Sequence, residues 1–307
     1  MTHPAAIAAA PVGPIDAALL DQVTVLTVTY NSAHCIAPLA ECLAHLPHVS
    51  VVDNASADDT LAQVARQLPR ARVIALPRNM GYGVANNQGI EAATTRYVLL
   101  LNPDCEISAD AIAQLVAGAQ HWPDAAVIVP QLTDAAGREE VNYSWPRDDW
   151  APRTGAAEGP LSVGYACAAV MLLDREKMAG MGFFDPRFFL YYEDEDLCLR
   201  AFNARLNVRV LPHIRVKHFS RGSVRGPRPL AAEYWRGWHH AQSKIIFALK
   251  HQGDAAGARL LRRTITRAWF NVAARVLLVS PRLLARAWGR LQGLRALSHG
   301  SPSASKT

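Results

Sequence analysis

Three short stretches hold side chains whose types and spacing could do chemistry. In Leu99-Leu100-Leu101-Asn102-Pro103-Asp104 an apolar strand runs into a carboxylate. A carboxylate at a strand end can hold a hard cation such as Mg²⁺ or Mn²⁺, with phosphate oxygens completing the shell. It can equally cap a helix or close a turn. The stretch Tyr191-Tyr192-Glu193-Asp194-Glu195-Asp196-Leu197-Cys198-Leu199-Arg200 sets four acids in a row, and their mutual repulsion needs a reason. In a helix, Glu193 and Asp196 share one side while Asp194 projects elsewhere. Such an acid could take a proton from an incoming hydroxyl, or the run could simply favour the positive end of a helix. His218 ends Val216-Lys217-His218, just before Phe219-Ser220-Arg221-Gly222-Ser223. That Gly/Ser/Arg loop suits phosphate contacts, which makes His218 either a ligand or an ordinary satisfied histidine.

The elements that must position these residues are readable from hydrophobic pattern. Val23–Thr29 reads as a buried strand, and Val49–Val52, the short Val73–Ala75, Tyr97–Leu101 and Val127–Val129 read as further strands. Pro38–Leu46, Ala57–Gln67, Gly83–Ala93 and Ala109–Gln120 read as the helices between them. Alternation at this pitch predicts an α/β fold with a mostly parallel sheet covered on both faces. Ligands of such sheets bind at the carboxyl edge. There the sequence places Tyr30 and Asn31, then Asp53 and Asn54, then Asn102 and Asp104. Residues 133–162 predict an irregular excursion with one strand at Val141–Trp145. A strand Val163–Leu173, a short helix Arg175–Met181, an aromatic loop, a helix Tyr192–Ala204 and strands at Val208–Leu211 and Val216–His218 follow.

Half of the 307 residues are hydrophobic and 19% are charged, enough for a large packed core. The net charge of +6 is uneven: after residue 250 come ten basic residues and one acid, Asp254, leaving residues 1–250 slightly acidic. The five cysteines form no CxxC pair, which excludes a zinc ribbon and fits a reducing compartment. Residues 1–20 predict a loose leader, not a signal peptide, and no apolar run is long enough to span a bilayer. There is no P-loop, no GxSxG elbow, no HExxH and no RNP1 signature, and Gly81-Tyr82-Gly83-Val84-Ala85-Asn86 lacks the third glycine of a dinucleotide fingerprint. No nucleic-acid partner is expected.

In order along the chain, Val28-Thr29-Tyr30-Asn31-Ser32, Val51-Val52-Asp53-Asn54-Ala55-Ser56, Asn79-Met80-Gly81-Tyr82-Gly83-Val84-Ala85-Asn86-Asn87, Leu100-Leu101-Asn102-Pro103-Asp104 and Phe184–Arg200 resemble the family 2 inverting glycosyltransferases of GT-A fold, in particular the bacterial rhamnosyltransferase branch. The resemblance covers roughly Val23 to Arg225. It implies that Asp53 binds the nucleobase beside Tyr30 and Asn31, and that Asn79, Gly83 and Asn86 line the donor pocket. Asp104 would ligate a metal on the donor diphosphate, with His218 completing the shell and Asn102 standing where the family motif usually has its first Asp. Asp194 matches the acid assigned as base. Glu193, Asp196 and Arg221 would stand on the acceptor side or just behind the catalytic groups.

The implied reaction is a single displacement. The metal, Mg²⁺ or Mn²⁺, neutralises the leaving diphosphate, and Asp194 deprotonates the acceptor hydroxyl. The expected donor is dTDP-rhamnose, and the acceptor a lipid-linked or growing cell-surface glycan. UDP-galactofuranose, UDP-N-acetylglucosamine or a non-catalytic nucleotide-sugar-binding scaffold are the alternatives. The expected organisation is a leader (1–20), a catalytic domain (21–228), a basic amphipathic helical extension (229–299) and a disordered tail (300–307). The extension interleaves Arg262, Arg263, Arg267, Arg275, Arg282, Arg286 and Arg290 with apolar residues. That pattern suits an anionic membrane interface or helices that simply cap the catalytic domain; the expected location is peripheral, at the cytoplasmic face of the membrane.

Overall fold

The computed structural model describes residues 16–144, 155–219, 222, 229–277 and 280–298. The chain begins with α1 (Ala17–Leu20), β1 (Val23–Thr29), α2 (Ala33–Leu43), β2 (Val49–Asp53), α3 (Thr60–Gln67), β3 (Arg72–Ala75), α4 (Tyr82–Ala92) and β4 (Tyr97–Leu101). It continues through β5 (Cys105–Glu106), α5 (Ala109–His121), β6 (Ala125–Thr133), β7 (Glu139–Glu140), β8 (Tyr143–Ser144), β9 (Leu161–Val163), β10 (Tyr165–Ala166) and β11 (Val170–Asp174). Then come α6 (Arg175–Met178), α7 (Glu193–Asn203), β12 (Asn207–His218), α8 (Pro229–Gln252), α9 (Asp254–Leu277) and α10 (Pro281–Ser298).

One large sheet runs β3-β2-β1-β4-β11-β6-β12-β5. Its first half is parallel, as the alternating pattern predicts. β11 then inserts antiparallel between β4 and β6, so the complete sheet is mixed. β4 and β11 are buried along their whole length, which is why they read as continuous apolar runs. The predicted single strand Val163–Leu173 is three short ones, because Gly164 and Cys167 to Ala169 carry the chain from β9 past α7 to β11. The two predicted strands near residues 208–218 are one, β12. Its register against β6 jumps between Leu211 and Arg215 at a bulge.

Helix starts differ from the sequence pattern for local reasons. α2 begins at Ala33, so Pro38 lies inside it and costs one intrahelical bond. α3 begins at Thr60, whose amide and hydroxyl both donate to Asp58 Oδ1. α1 lies inside the expected leader: Asp16 caps it at 3.0 Å and Leu20 is buried, so the packed chain starts before residue 21. Trp145, Arg221 and residues 300–307 fall outside the described residues. All five cysteines are free.

The three C-terminal helices form a small core of their own, with Ala241, Ile245, Ala268, Leu291 and Leu294 inside. α8 and α10 touch backbone to backbone. A Cβ on Gly289 would fall 2.0 Å from the Tyr234 carbonyl, and one on Gly237 would fall 2.1 Å from that of Arg286. Among the described residues no helix is long and apolar enough to cross a membrane.

Candidate active site

The carboxyl edge of the sheet carries a continuous polar network. Asp53, at the end of β2, is buried; Thr29 Oγ1, Ser56 N and Ser56 Oγ donate to it at 2.6–2.9 Å. Asn31 takes a left-handed conformation (φ 51°), which asparagine tolerates. Its amide donates to Ser56 Oγ at 2.9 Å and its side chain accepts from Ala57 N at 2.8 Å. Tyr30 N donates to Ser32 Oγ. Asn54, buried beside Asp53, donates to Asn79 Oδ1 at 3.0 Å, and Gly81 N donates to the same oxygen. Gly81 (φ 86°) leaves no room for a side chain, since a Cβ would lie 2.4 Å from the Phe189 carbonyl.

From Gly81 the path reaches Tyr82. Its hydroxyl lies 3.0 Å from Asn102 Oδ1 and 2.8 Å from the Ala168 carbonyl. The same Ala168 donates its N–H to Asp194 Oδ2 at 3.4 Å. Peptide and side-chain dipoles therefore link Asn79, Asn102 and Asp194. Gly83 packs under Phe184 and Glu193, while Asn86 faces inward and donates to the Tyr82 carbonyl.

Asp104 is buried where β4 gives way to β5, which pairs with the end of β12. Gly222 N donates to its Oδ2 at 2.9 Å, and Oδ1 lies 3.8 Å from His218 Nε2. Cys105, Asp104 and His218 bring a sulfur, an oxygen and a nitrogen within 4.8 Å of one another. Burial pushes the Cys105 thiol up, so the sulfur stays protonated and is a poor ligand for a hard cation. An oxygen from Asp104 and a nitrogen from His218 fit Mg²⁺ or Mn²⁺, with Gly222 orienting the carboxylate from the other side.

The acidic run begins α7. Tyr191 (φ 69°) and Tyr192 (φ 67°) precede it, both left-handed, at about 1–2 kcal/mol each for bulky residues. Aromatic packing from α8 holds them there: His240 lies 5.5 Å from Tyr191 and 5.7 Å from Tyr192, and Phe247 lies 5.5 Å from Tyr192. Asp194 accepts from Glu195 N (2.9 Å), Tyr165 Oη (3.3 Å) and Ala168 N. Burial raises its pKa despite these donors. Burial, and next the charge of Asp194, push the adjacent Glu193 well above the usual carboxylate range, and its Oε2 has no hydrogen-bond partner. The donors converge on Asp194, so of the two carboxyls Asp194 is the more readily ionised and Glu193 the one pushed further toward its neutral form.

Asp196 does something else. Fully buried, it pairs with Arg200 (2.8 Å), Lys250 (2.5 Å) and His251 (2.8 Å), while Lys250 also reaches Asp185 at 2.7 Å. It ties the end of α8 to α7. Arg221 lies outside the described residues.

Sequence reasoning missed Tyr82, Tyr165 and Ala168. Tyr82 sits inside a stretch already singled out, between the two glycines. Tyr165 carries no local signal, because its partner is 29 residues away.

The sequence profile of glycosyl transferase family 2 matches residues 24–178. An N-acetylglucosaminyl-diphospho-decaprenol L-rhamnosyltransferase of Mycobacterium tuberculosis is 26% identical over 273 residues, covering 76% of this chain and 87% of that protein. The low-salt glycan biosynthesis hexosyltransferase Agl10 of Haloferax volcanii is 26% identical over 202 residues, covering 62% of this chain and 64% of that protein. Among solved structures, S. aureus TarS 1–349 in complex with UDP-GlcNAc superposes with a TM-score of 0.53 at 17% identity, over 91% of this chain and 92% of that one. The mannosyltransferase PcManGT from Pyrobaculum calidifontis, in complex with GDP-Man and Mn²⁺, gives 0.51 at 17%, over 91% and 86%. The fold is that of GT-A glycosyltransferases, and the chain belongs to glycosyl transferase family 2.

Proposed function

We propose that this glycosyltransferase moves L-rhamnose from dTDP-rhamnose onto a hydroxyl of a lipid-linked glycan, with inversion at the anomeric carbon. The observation that carries the choice of sugar and acceptor is the likeness, over most of both chains, to the mycobacterial rhamnosyltransferase whose named acceptor is a lipid diphosphate sugar. Asp53, Asn31 and Tyr30 receive the nucleoside, and Asn79, Gly83, Asn86 and Asn102 line the sugar side of the pocket. Asp104 and His218 would hold a divalent cation, which when bound offsets the charge developing on the departing diphosphate. Asp194 accepts the proton of the acceptor hydroxyl, and Tyr165 Oη and Ala168 N fix the orientation of its carboxylate. Glu193, kept neutral, adds no second negative charge beside that base.

The test is nucleotide release from dTDP-rhamnose and from a panel of UDP-sugars, with Mn²⁺, Mg²⁺ or EDTA. Metal-dependent release of dTDP supports the proposal. Release of UDP alone keeps the reaction and overturns the rhamnose assignment.

The enzyme is further proposed to sit at the cytoplasmic face of the membrane through its C-terminal helices. On α9 and α10, Trp269, Phe270, Val276, Leu283 and Trp288 are exposed among arginines, a pattern that suits an anionic interface.

A further inference from the structure

Between α8, α9 and α10 lies a cleft of about 280 Å³. Lys244, Arg267, Arg275, Arg286 and Arg290 line it, and among the described residues no carboxylate does. Five cations lining one partly enclosed space repel one another, and an anion there would offset that repulsion. Among the described residues, Arg286 is the one of these side chains with an acid nearby, Glu233 at 3.9 Å. The Nε atoms of Arg286 and Arg290 are buried with no hydrogen-bond partner among the described residues. Burial, followed by the Arg286 charge, lowers the Arg290 pKa, the direction expected of a cation desolvated without its counter-ion. Forked guanidinium donors converging on one cavity are the geometry that recognises phosphate.

The place of the cleft narrows the source of that phosphate. His240 lines it, and the same ring packs against Tyr191 and Tyr192, the two residues directly before Glu193 and Asp194. Trp269, Phe270 and Leu283 are exposed on two of the helices that build it, so apolar chains could leave the cleft along an apolar surface. We propose that this cleft binds the diphosphate of a lipid-linked acceptor, holding the lipid while its sugar reaches Asp194. The inference rests on the acceptor class proposed above, but binding and turnover can be read separately.

The experiment is binding of the full-length protein to phosphatidylcholine vesicles doped with undecaprenyl diphosphate. Phosphatidylglycerol vesicles of equal charge and inorganic pyrophosphate serve as the other arms. The wild type should prefer the diphosphate lipid to both. Arg267→Gln and Lys244→Gln, at positions with no ion pair among the described residues, should each weaken that binding by about tenfold, the loss expected for a charge-assisted hydrogen bond. Metal-dependent donor hydrolysis by both variants should match the wild type, and that readout alone tests the proposed sugar-transfer reaction. Equal binding to phosphatidylglycerol would make the cleft part of a general anionic surface and overturn the proposal. Pyrophosphate binding as tight as the lipid's, or folded variants with unchanged lipid affinity, would overturn it too.

Discussion

Replacing Asp196 by asparagine separates the two roles the acidic run could play. Asp196 is fully buried, and its partners Arg200, Lys250 and His251 keep at most 18% of their side-chain surface exposed. With an effective dielectric near 20, a charge pair at such separations attracts by about 6 kcal/mol before desolvation. Desolvation cancels most of that, and breaking a buried pair costs about 3–5 kcal/mol net. The lower end applies here: Lys250 keeps Asp185, and Arg200 keeps the carbonyls of Met181, Gly182 and Phe183. Asparagine can still accept from Arg200, but its NH₂ would face the donors Lys250 and His251. We expect D196N to lose about 3 kcal/mol and to melt on the order of 10 °C lower. Below its melting point it should retain nucleotide release. Differential scanning calorimetry beside a release assay reads both. An unchanged melting temperature with abolished release would refute this account and place Asp196 in the chemistry.

Asp194→Asn should show the opposite pattern: unchanged or higher stability, and a rate about 10²–10⁴-fold lower, read by the same pair of assays. Because burial raises the pKa of Asp194, the rate should climb with pH through a point above the usual carboxylate range. Over that interval the folded chain holds more protons than the unfolded one, so stability should fall as pH rises; a flat rate profile over the same range would count against Asp194 as base. Asp104→Asn and His218→Ala should each abolish the rise in melting temperature that Mn²⁺ gives the wild type, and calorimetric titration with Mn²⁺ checks it. Gly289→Ala must push α10 off the Tyr234 carbonyl and should cost about 1–3 kcal/mol; a change within about 0.5 kcal/mol in chemical denaturation would mean the helices can slide. Trp269→Ser with Phe270→Ser should reduce flotation with anionic liposomes, and equal flotation would exclude this face as the anchor.

What the sequence made legible was set by range. β1, β2 and β4 read correctly because strands covered on both faces are rich in Val, Leu and other β-formers, and the groups at their carboxyl ends follow from topology. The antiparallel course of β11 did not read, because an apolar run does not say which way it pairs. Asp194 and Asp196 look alike in sequence. Contacts from Tyr165 and Ala168 on one side, and from Lys250 and His251 on the other, tell the proposed base from the anchor. The consecutive left-handed tyrosines were invisible for a related reason: nothing local favours that backbone, and aromatic rings more than forty residues away impose it.

Those contacts bear on how the chain is organised. Although α8, α9 and α10 have a core of their own, α8 is also a wall of the site. Phe189 stacks on His239 at 4.2 Å, Ser243 Oγ donates to the Leu190 carbonyl at 2.9 Å, and Lys250 and His251 anchor Asp196. The loop so clamped supplies the Phe189 carbonyl that accepts from Tyr82 N and crowds Gly81. The backbone at Gly81 and Tyr82 and the start of α7 are thus fixed against one surface, and that surface is α8. A strained turn persists only where its surroundings over-determine it, and here the surroundings lie beyond residue 228. Any motion of the helical extension is therefore felt first at Tyr191 and Tyr192, and through them at the carboxylate of Asp194.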